Sequence, residues 1–141
     1  MYELGKQFRF DAAHSLERSI DSESSRRVDG HSYRAEVVVR GEPDPATGMI
    51  VDLGQFERAL QAAHDGLDHH LLDEVEGLGP PTMENLAAWV WRKVEPACPG
   101  LCRVVIHRDS SGDACTYFGE RSDVCRVRAN ERIADDRAKG R

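Results

Sequence analysis

The stretch Asp29-Gly30-His31-Ser32-Tyr33 opens the clearest strand pattern in the chain. Over residues 32–40, apolar side chains occupy alternate positions, which predicts a β-strand with one buried face. Because side chains two residues apart in a strand leave on the same face, Asp29 and His31 are expected to lie together. His14 follows an earlier strand and is placed to join them from a neighbour. These three side chains outline a metal site.

The rest of the chain predicts elements in the order β-β-α-α-β-β. A strand precedes the quoted stretch, and two helices with capping residues and apolar stripes follow it before two further strands. This order predicts an α+β fold in which a four-stranded antiparallel sheet carries two helices on one face. Such a sheet has two open edges, so we expect an oligomer that closes them. The predicted elements are a strand over 2–10, the strand over 32–40, a helix after Asp52 that ends at Gly66, a helix after Thr82, a strand over 101–108 and a strand over 116–119.

Length and charge limit the classes of function. The chain has 141 residues and a formal net charge of −6, so one domain is expected and nucleic acid is not the expected partner. No apolar run reaches the length of a membrane span, and the first residues lack the order of a signal peptide. These features predict a cytoplasmic protein with no membrane partner. We expect one domain over 1–120 and a polar C-terminal extension over 121–141.

A second group of reactive side chains follows the first predicted helix, in Leu67-Asp68-His69-His70. A carboxylate beside an imidazole can orient it and raise its basicity, as general acid–base catalysis requires. A loop histidine that only forms a hydrogen bond explains the same residues equally well. The residues alone therefore leave the role of Asp68 and His69 open.

Five separate motifs along the chain occur together in one known family. They are Phe10-Asp11-Ala12-Ala13-His14, Asp29-Gly30-His31-Ser32-Tyr33, Leu67-Asp68-His69-His70, Pro81-Thr82-Met83-Glu84-Asn85-Leu86-Ala87 and the segment from Asp109 to Tyr117. In this order and spacing they resemble the 6-pyruvoyl- and 6-carboxy-tetrahydropterin synthase family. The resemblance implies the tunnelling fold, an oligomeric barrel that is commonly a homohexamer of two trimers with active sites at subunit interfaces. It also implies a small-molecule pterin, or a related purine-like ligand, of the class derived from dihydroneopterin triphosphate.

The resemblance also implies roles for individual residues. In that family, zinc held by three histidines polarises the substrate, a cysteine thiolate supported by an Asp-His pair moves protons, and a glutamate grips the pterin. On this pattern His14 and His31 match two zinc ligands. Asp68 and His69 match the Asp-His pair, and the segment Thr82-Met83-Glu84 matches a part of the family that lines the pterin pocket.

Three positions depart from the family's pattern. Asp29 stands where a zinc histidine is expected, Ser25 where the catalytic cysteine is expected, and Asp109 where the anchoring glutamate is expected. The Asp29 carboxylate ends about 2 Å short of an imidazole nitrogen, while metal–ligand distances tolerate only about 0.2 Å. The Ser25 hydroxyl is far less acidic than a thiol, whose pKa is about 8.5. Asp109 is shorter than glutamate but still offers two acceptor oxygens.

The sequence therefore predicts a pterin-binding member of the family whose standard synthase activity is weakened or lost, with zinc absent or weakly bound. One alternative is an active tetrahydropterin synthase, a carbon–oxygen or carbon–carbon lyase, with a His14, Asp29, His31 metal site and His69 as the base. A second alternative is a structural oligomer with a vestigial pocket.

Overall fold

The computed structural model describes residues 1–15 and 28–120. It has the predicted ββααββ order, with a short 3-10 turn after each helix. The elements are β1 at Tyr2–His14, β2 at Asp29–Gly41, α1 at Leu53–Leu67, a turn at Leu72–Glu74, α2 at Met83–Val94, a turn at Glu95–Ala97, β3 at Leu101–Arg108 and β4 at Asp113–Tyr117.

The four strands form one antiparallel sheet in the order β1-β2-β3-β4. Both helices pack on one face of the sheet, and the hydrophobic core lies between that face and the helices. The predicted alternation along β2 supplies this face, since Tyr33, Ala35 and Val37 are each at most 2% exposed. The α+β architecture with two helices on one face is therefore confirmed.

The opposite face of the sheet carries charged side chains. Glu3 on β1 forms ion pairs with Arg40 at 2.6 Å and with Arg103 at 2.9 Å. Nε2 of His107 lies 3.5 Å from a carboxylate oxygen of Glu36. These contacts connect β1, β2 and β3 across the face that the helices do not cover.

Both helices begin at the predicted capping residues. The Asp52 carboxylate accepts the backbone N–H of Gln55 at 3.0 Å, and the Thr82 hydroxyl accepts that of Asn85 at 3.2 Å. Within the described ranges, neither helix has the length and apolar content needed to cross a membrane.

The prediction that Gly66 ends α1 is wrong, because the helix continues through Gly66 to Leu67. A Cβ atom at Gly66 would lie 2.7 Å from Cη2 of Trp89 on α2. Glycine is therefore needed at this position because the two helices approach closely, and not because the helix stops. Asp68 follows as the C-cap residue, and its backbone N–H donates to the carbonyl of His64 at 2.8 Å.

The boundaries of three predicted strands also change. β1 runs on to His14 and β2 begins at Asp29, because these two residues pair and extend the ladder through main-chain contacts that side-chain polarity does not reveal. β4 occupies Asp113–Tyr117 instead of 116–119. The chain has left the sheet by Gly119, whose φ is +83° and whose backbone lies against the Trp91 ring.

Candidate functional site

The three predicted metal ligands, His14, Asp29 and His31, lie at the end of the β1–β2 ladder and are called the predicted triad below. His14 pairs with Asp29, and Ala12 pairs with His31. Residues directly opposite each other in an antiparallel pair project to the same face. The rings of His14 and His31 are stacked, with centroids 4.7 Å apart and planes 23° apart. The structure thus places the two histidines in contact, with Asp29 beside His14.

The polar imidazole of His14 is buried without hydrogen bonds from the described residues. It is 4% exposed, and neither ring nitrogen has a hydrogen-bond partner among the described residues. Burial lowers the pKa of His14, and the charges of His31 and Arg108 lower it further. The carboxylates of Asp73 and Asp29 act in the opposite direction without offsetting this. The imidazole is therefore neutral near neutral pH, and a ligand atom or a metal would satisfy nitrogens that are costly to leave unpaired.

The predicted triad does not form a closed set of three metal ligands. In the described part of the chain, the three side chains whose potential ligand atoms all lie within 4.8 Å of one another are Asp11, Asp68 and His69. The predicted triad is not such a group. Zinc needs its ligand atoms about 2.0–2.3 Å from the ion in a tetrahedral arrangement. The residues as they stand therefore fit zinc poorly.

Asp68 and His69 are brought together where α1 ends. Nδ1 of His69 lies 3.4 Å from Oδ2 of Asp68, and Oδ1 of Asp68 accepts the backbone N–H of Asp11 at 2.9 Å. This hydrogen bond is the main reason that the pKa of Asp68 is lowered, and the charges of His69 and His64 add to it. The carboxylate is therefore ionised near neutral pH and can orient the His69 ring.

Main-chain hydrogen bonds fasten the loop of His69 to β1. The N–H of His69 donates to the carbonyl of Asp11 at 2.7 Å, and the N–H of Ala13 donates to the carbonyl of His70 at 3.2 Å. His69 has a φ of +56°, a region that residues other than glycine seldom adopt. The hydrogen bonds on either side of His69 hold this conformation in place.

A cleft lies between this loop and the two strands. It has a volume of about 490 Å³, and its lining includes Asp11 from β1, His31 and Ser32 from β2, and His69 and His70 from the loop. The Ser32 hydroxyl donates to the carboxylate of Asp11, and both residues line the cleft. The volume lies within the range of about 300–1,000 Å³ that is usual for small-molecule sites.

The segment Thr82-Met83-Glu84 lies elsewhere in the chain. It forms the start of α2, where the Thr82 hydroxyl is used as the helix cap. The charge of Glu84 raises the pKa of Cys115 on β4, although burial of Cys115 has the larger effect. The segment therefore lies near β4, at the edge of the sheet opposite β1. It is not among the described residues that line the cleft.

Asp109 is engaged by arginine side chains. Nε of Arg34 donates to Oδ2 of Asp109 at 3.1 Å, and Nη2 of Arg34 donates to Oδ1 at 3.0 Å. Nη1 of Arg9 lies 3.7 Å from the same carboxylate. The Arg34 hydrogen bonds lower the pKa of Asp109. Both oxygens that were predicted to accept hydrogen bonds from a pterin thus have protein partners, and the anchoring role of Asp109 stays a prediction.

Arg108, which the sequence reasoning missed, is the last residue of β3 and acts on His14. Its charge lowers the pKa of His14 and acts against the burial that raises the pKa of Tyr33. Its guanidinium also donates to Ser111 at 2.9 Å and to Asp113 at 3.1 Å. The alternation of Val104 and Ile106 on the core side of β3, continued by two residues, would have indicated this orientation.

Other parts of the site were missed or cannot be placed. Ser25 lies outside the described residues, and so does the predicted extension over 121–141. The role of Asp11 was missed, because its contact with Asp68 depends on how the loop returns to β1. The one sequence signal that could have indicated a role for His64 was its position one helical turn before Asp68.

Comparisons with known proteins agree with this architecture. A sequence model of the family described as 6-pyruvoyl tetrahydropterin synthase matches residues 3–120. The chain is 35% identical over 127 residues to the 6-carboxy-5,6,7,8-tetrahydropterin synthase of a Synechocystis strain, which covers 86% of this chain and 96% of that protein. It is 31% identical over 91 residues to the dihydroneopterin monophosphate aldolase of Pyrococcus furiosus, which covers 64% of this chain and 73% of that protein.

A solved structure gives the same result at the level of the fold. The 6-pyruvoyl tetrahydropterin synthase of Caenorhabditis elegans matches with a TM-score of 0.72 and 26% identity, over 84% of this chain and 96% of that chain. The four-stranded sheet with its two helices thus has the tunnelling fold. With the match over residues 3–120, this shows that the chain belongs to the 6-pyruvoyl tetrahydropterin synthase family.

Proposed function

We propose that this chain binds a pterin, or a related purine-like small molecule, and that its standard synthase activity is weakened or lost. The observation that carries the proposal is that His31 and His69 line one cleft of about 490 Å³. A metal-ligand candidate and an acid–base candidate therefore meet at a space that accommodates a small ligand. Membership of the family supports a pterin as that ligand.

Asp68 and His69 would supply the acid–base part of this site. Asp68 is ionised and lies beside Nδ1 of His69, which leaves Nε2 as the atom that exchanges a proton with a ligand. The His69 side chain is 81% exposed, so a ligand can reach it. Binding and orientation of a pterin need these residues but do not need a thiolate.

Two departures support the loss of standard activity. Ser25 stands where the family has its cysteine, and a serine hydroxyl without an assisting base does not ionise near neutral pH. Asp29 stands where the family has a histidine, and the predicted triad does not bring three ligand atoms together. Both departures fall on the groups that would activate the substrate.

We also propose that the protein acts in the cytoplasm as a homohexamer of two trimers. The cleft lies beside β1, at one edge of the sheet, while the segment Thr82-Met83-Glu84 lies near β4 at the other edge. Association of β4 from one copy with β1 from the next would bring this segment to the neighbour's cleft. Sedimentation analysis should show a hexamer, and a monomer at micromolar concentration would contradict this proposal.

A fluorescence titration with dihydroneopterin tests pterin binding. We expect saturable binding to the parent protein and clearly weaker binding to His69→Ala. Glu57→Gln is a matched control, because Glu57 is exposed on α1 and pairs with Lys6 at 3.4 Å outside the cleft. Absence of saturable binding would favour the structural oligomer. Equal binding by the parent and His69→Ala would place the ligand outside this cleft.

A second candidate function is an active synthase with a metal bound by the predicted triad. The observation that favours it is His14, whose buried ring nitrogens have no partner among the described residues. Metal analysis of protein purified without chelators separates the two candidates. We expect well under one zinc per subunit, and zinc close to one per subunit would support the second candidate.

A further inference from the structure

We propose that His64 is a positioning residue that holds the Asp68 carboxylate from the side away from the cleft, so that Asp68 faces His69. His64 does not line the cleft; it lines a separate groove of about 260 Å³ between α1 and β1. The inference rests on the proposed function, because the Asp68–His69 pair has a role only if a ligand enters the cleft.

The two imidazoles share one oxygen of Asp68. Nε2 of His64 lies 3.6 Å from Oδ2 of Asp68, and Nδ1 of His69 lies 3.4 Å from the same oxygen. The other oxygen, Oδ1, accepts the backbone N–H of Asp11 at 2.9 Å. The carboxylate is therefore held from three directions. Asp11 and His69 line the cleft, whereas His64 does not.

His64 is itself held in place. Its Nδ1 lies 3.0 Å from Oδ1 of Asp65, and Gln61 donates to the same Asp65 oxygen at 2.8 Å. The Phe8 ring on β1 meets the imidazole edge-on, with centroids 6.0 Å apart. The ring of His64 is 28% exposed, so it is partly shielded from water. These contacts limit the rotamers of His64 and with them the position of Asp68.

The position of His64 in the helix adds to its effect on Asp68. His64 and Asp68 are one turn apart at the end of α1, where the helix dipole favours a positive charge. A neutral imidazole has one N–H and can donate to Asp65 or to Asp68, whereas the protonated ring donates to both. The other charged groups that line the groove are Lys6, Arg9 and Glu57.

The backbone amide of Asp11 gives a direct readout that needs no ligand. Because this N–H donates to Asp68, its chemical shift in a nitrogen-15 spectrum should follow the ionisation of Asp68 as the pH is changed. We compare the parent with His64→Asn, which is too short to reach Asp68, and with His64→Gln, whose neutral side-chain NH2 group has a reach similar to that of Nε2 of His64. Glu57→Gln is the control on the same helix.

We expect the midpoint of the Asp68 titration, followed at the Asp11 amide, to move to higher pH in His64→Asn. It should move less in His64→Gln and stay in place in the control. The dissociation constant for dihydroneopterin should rise by about fivefold in His64→Asn, as for loss of one partly exposed ion pair. Circular dichroism confirms folding, and His64→Gln alone decides if His64→Asn does not fold. An unchanged midpoint in His64→Gln and in any folded His64→Asn protein overturns the inference. If neither the parent nor any variant binds dihydroneopterin, the proposed function is overturned instead. The titration followed at the Asp11 amide would still decide the role of His64.

Discussion

Replacement of Gly66 by alanine should destabilise the protein, although the same change normally stabilises a helix. Alanine gains about 1 kcal/mol over glycine inside a helix. At Gly66, however, the new Cβ would lie 2.7 Å from Cη2 and 3.2 Å from Cζ2 of Trp89, which is 4% exposed. The ring must move, and overpacking of this kind costs about 1–3 kcal/mol.

A shift of the Trp89 ring would also disturb its hydrogen bond to the carbonyl of Glu76, which is 3.1 Å long. Such a bond contributes about 1 kcal/mol. The sum of these effects is a net loss of about 1–3 kcal/mol in the free energy of unfolding for Gly66→Ala. Chemical denaturation in urea measures it.

Two further variants make this test specific. Ala62→Gly, at an exposed position of α1, measures the propensity difference in the same helix and should lose about 1 kcal/mol. Trp89→Phe removes the ring atoms that the new Cβ would meet, so Gly66→Ala should be stabilising in that background. Stabilisation by Gly66→Ala in the parent protein would refute the argument that close helix packing requires glycine.

Three other measurements address the site. In the presence of a chelator, the free energy of unfolding should fall as the pH drops below about 6.5, by up to about 1.4 kcal/mol per pH unit. The reason is that the pKa of His14 is lowered in the folded protein, so the unfolded chain binds the proton first. His14→Leu should remove this slope, and a parent protein whose stability does not depend on pH would contradict the burial argument. Asp29→His should raise zinc content toward one per subunit, and Ser25→Cys combined with Asp29→His should raise turnover of dihydroneopterin triphosphate; a double variant as inactive as the parent would show that the loss lies elsewhere. Asp109→Asn and Arg34→Gln should change stability by less than about 1 kcal/mol, since exposed ion pairs contribute little, and if Asp109 anchors the ligand, only Asp109→Asn will weaken dihydroneopterin binding.

Much of the fold was predictable because one face of the sheet is buried and the other is not. The alternation of Tyr33, Ala35 and Val37 gives both the strand and its inner face. Asp52 and Thr82 give the helix starts, because the capping hydrogen bond uses a short local side chain. These features depend on neighbours close in sequence, which a pattern can represent.

The site was less predictable because it depends on contacts between distant segments. The pairing of His14 with Asp29 is made by main-chain groups and leaves no trace in side-chain polarity. The sequence indicates Asp109 as a ligand anchor, but it does not indicate that its carboxylate pairs with Arg34 once the chain turns after Arg108. A family position gives the residue type that is expected and does not give the direction in which a residue at a turn will point.

The loop of His69 is fastened to β1 by main-chain hydrogen bonds from His69 to Asp11 and from Ala13 to His70. Main-chain groups are the same for every residue except proline, so substitutions at residue 70, and at residue 69 by side chains that tolerate its φ of +56°, can alter the reactive groups of the cleft while the path of the loop is kept. The loop is therefore a frame on which new chemistry can evolve without a new fold. For protein engineering, this makes residues 69 and 70 better places to begin than the tightly packed helices behind them.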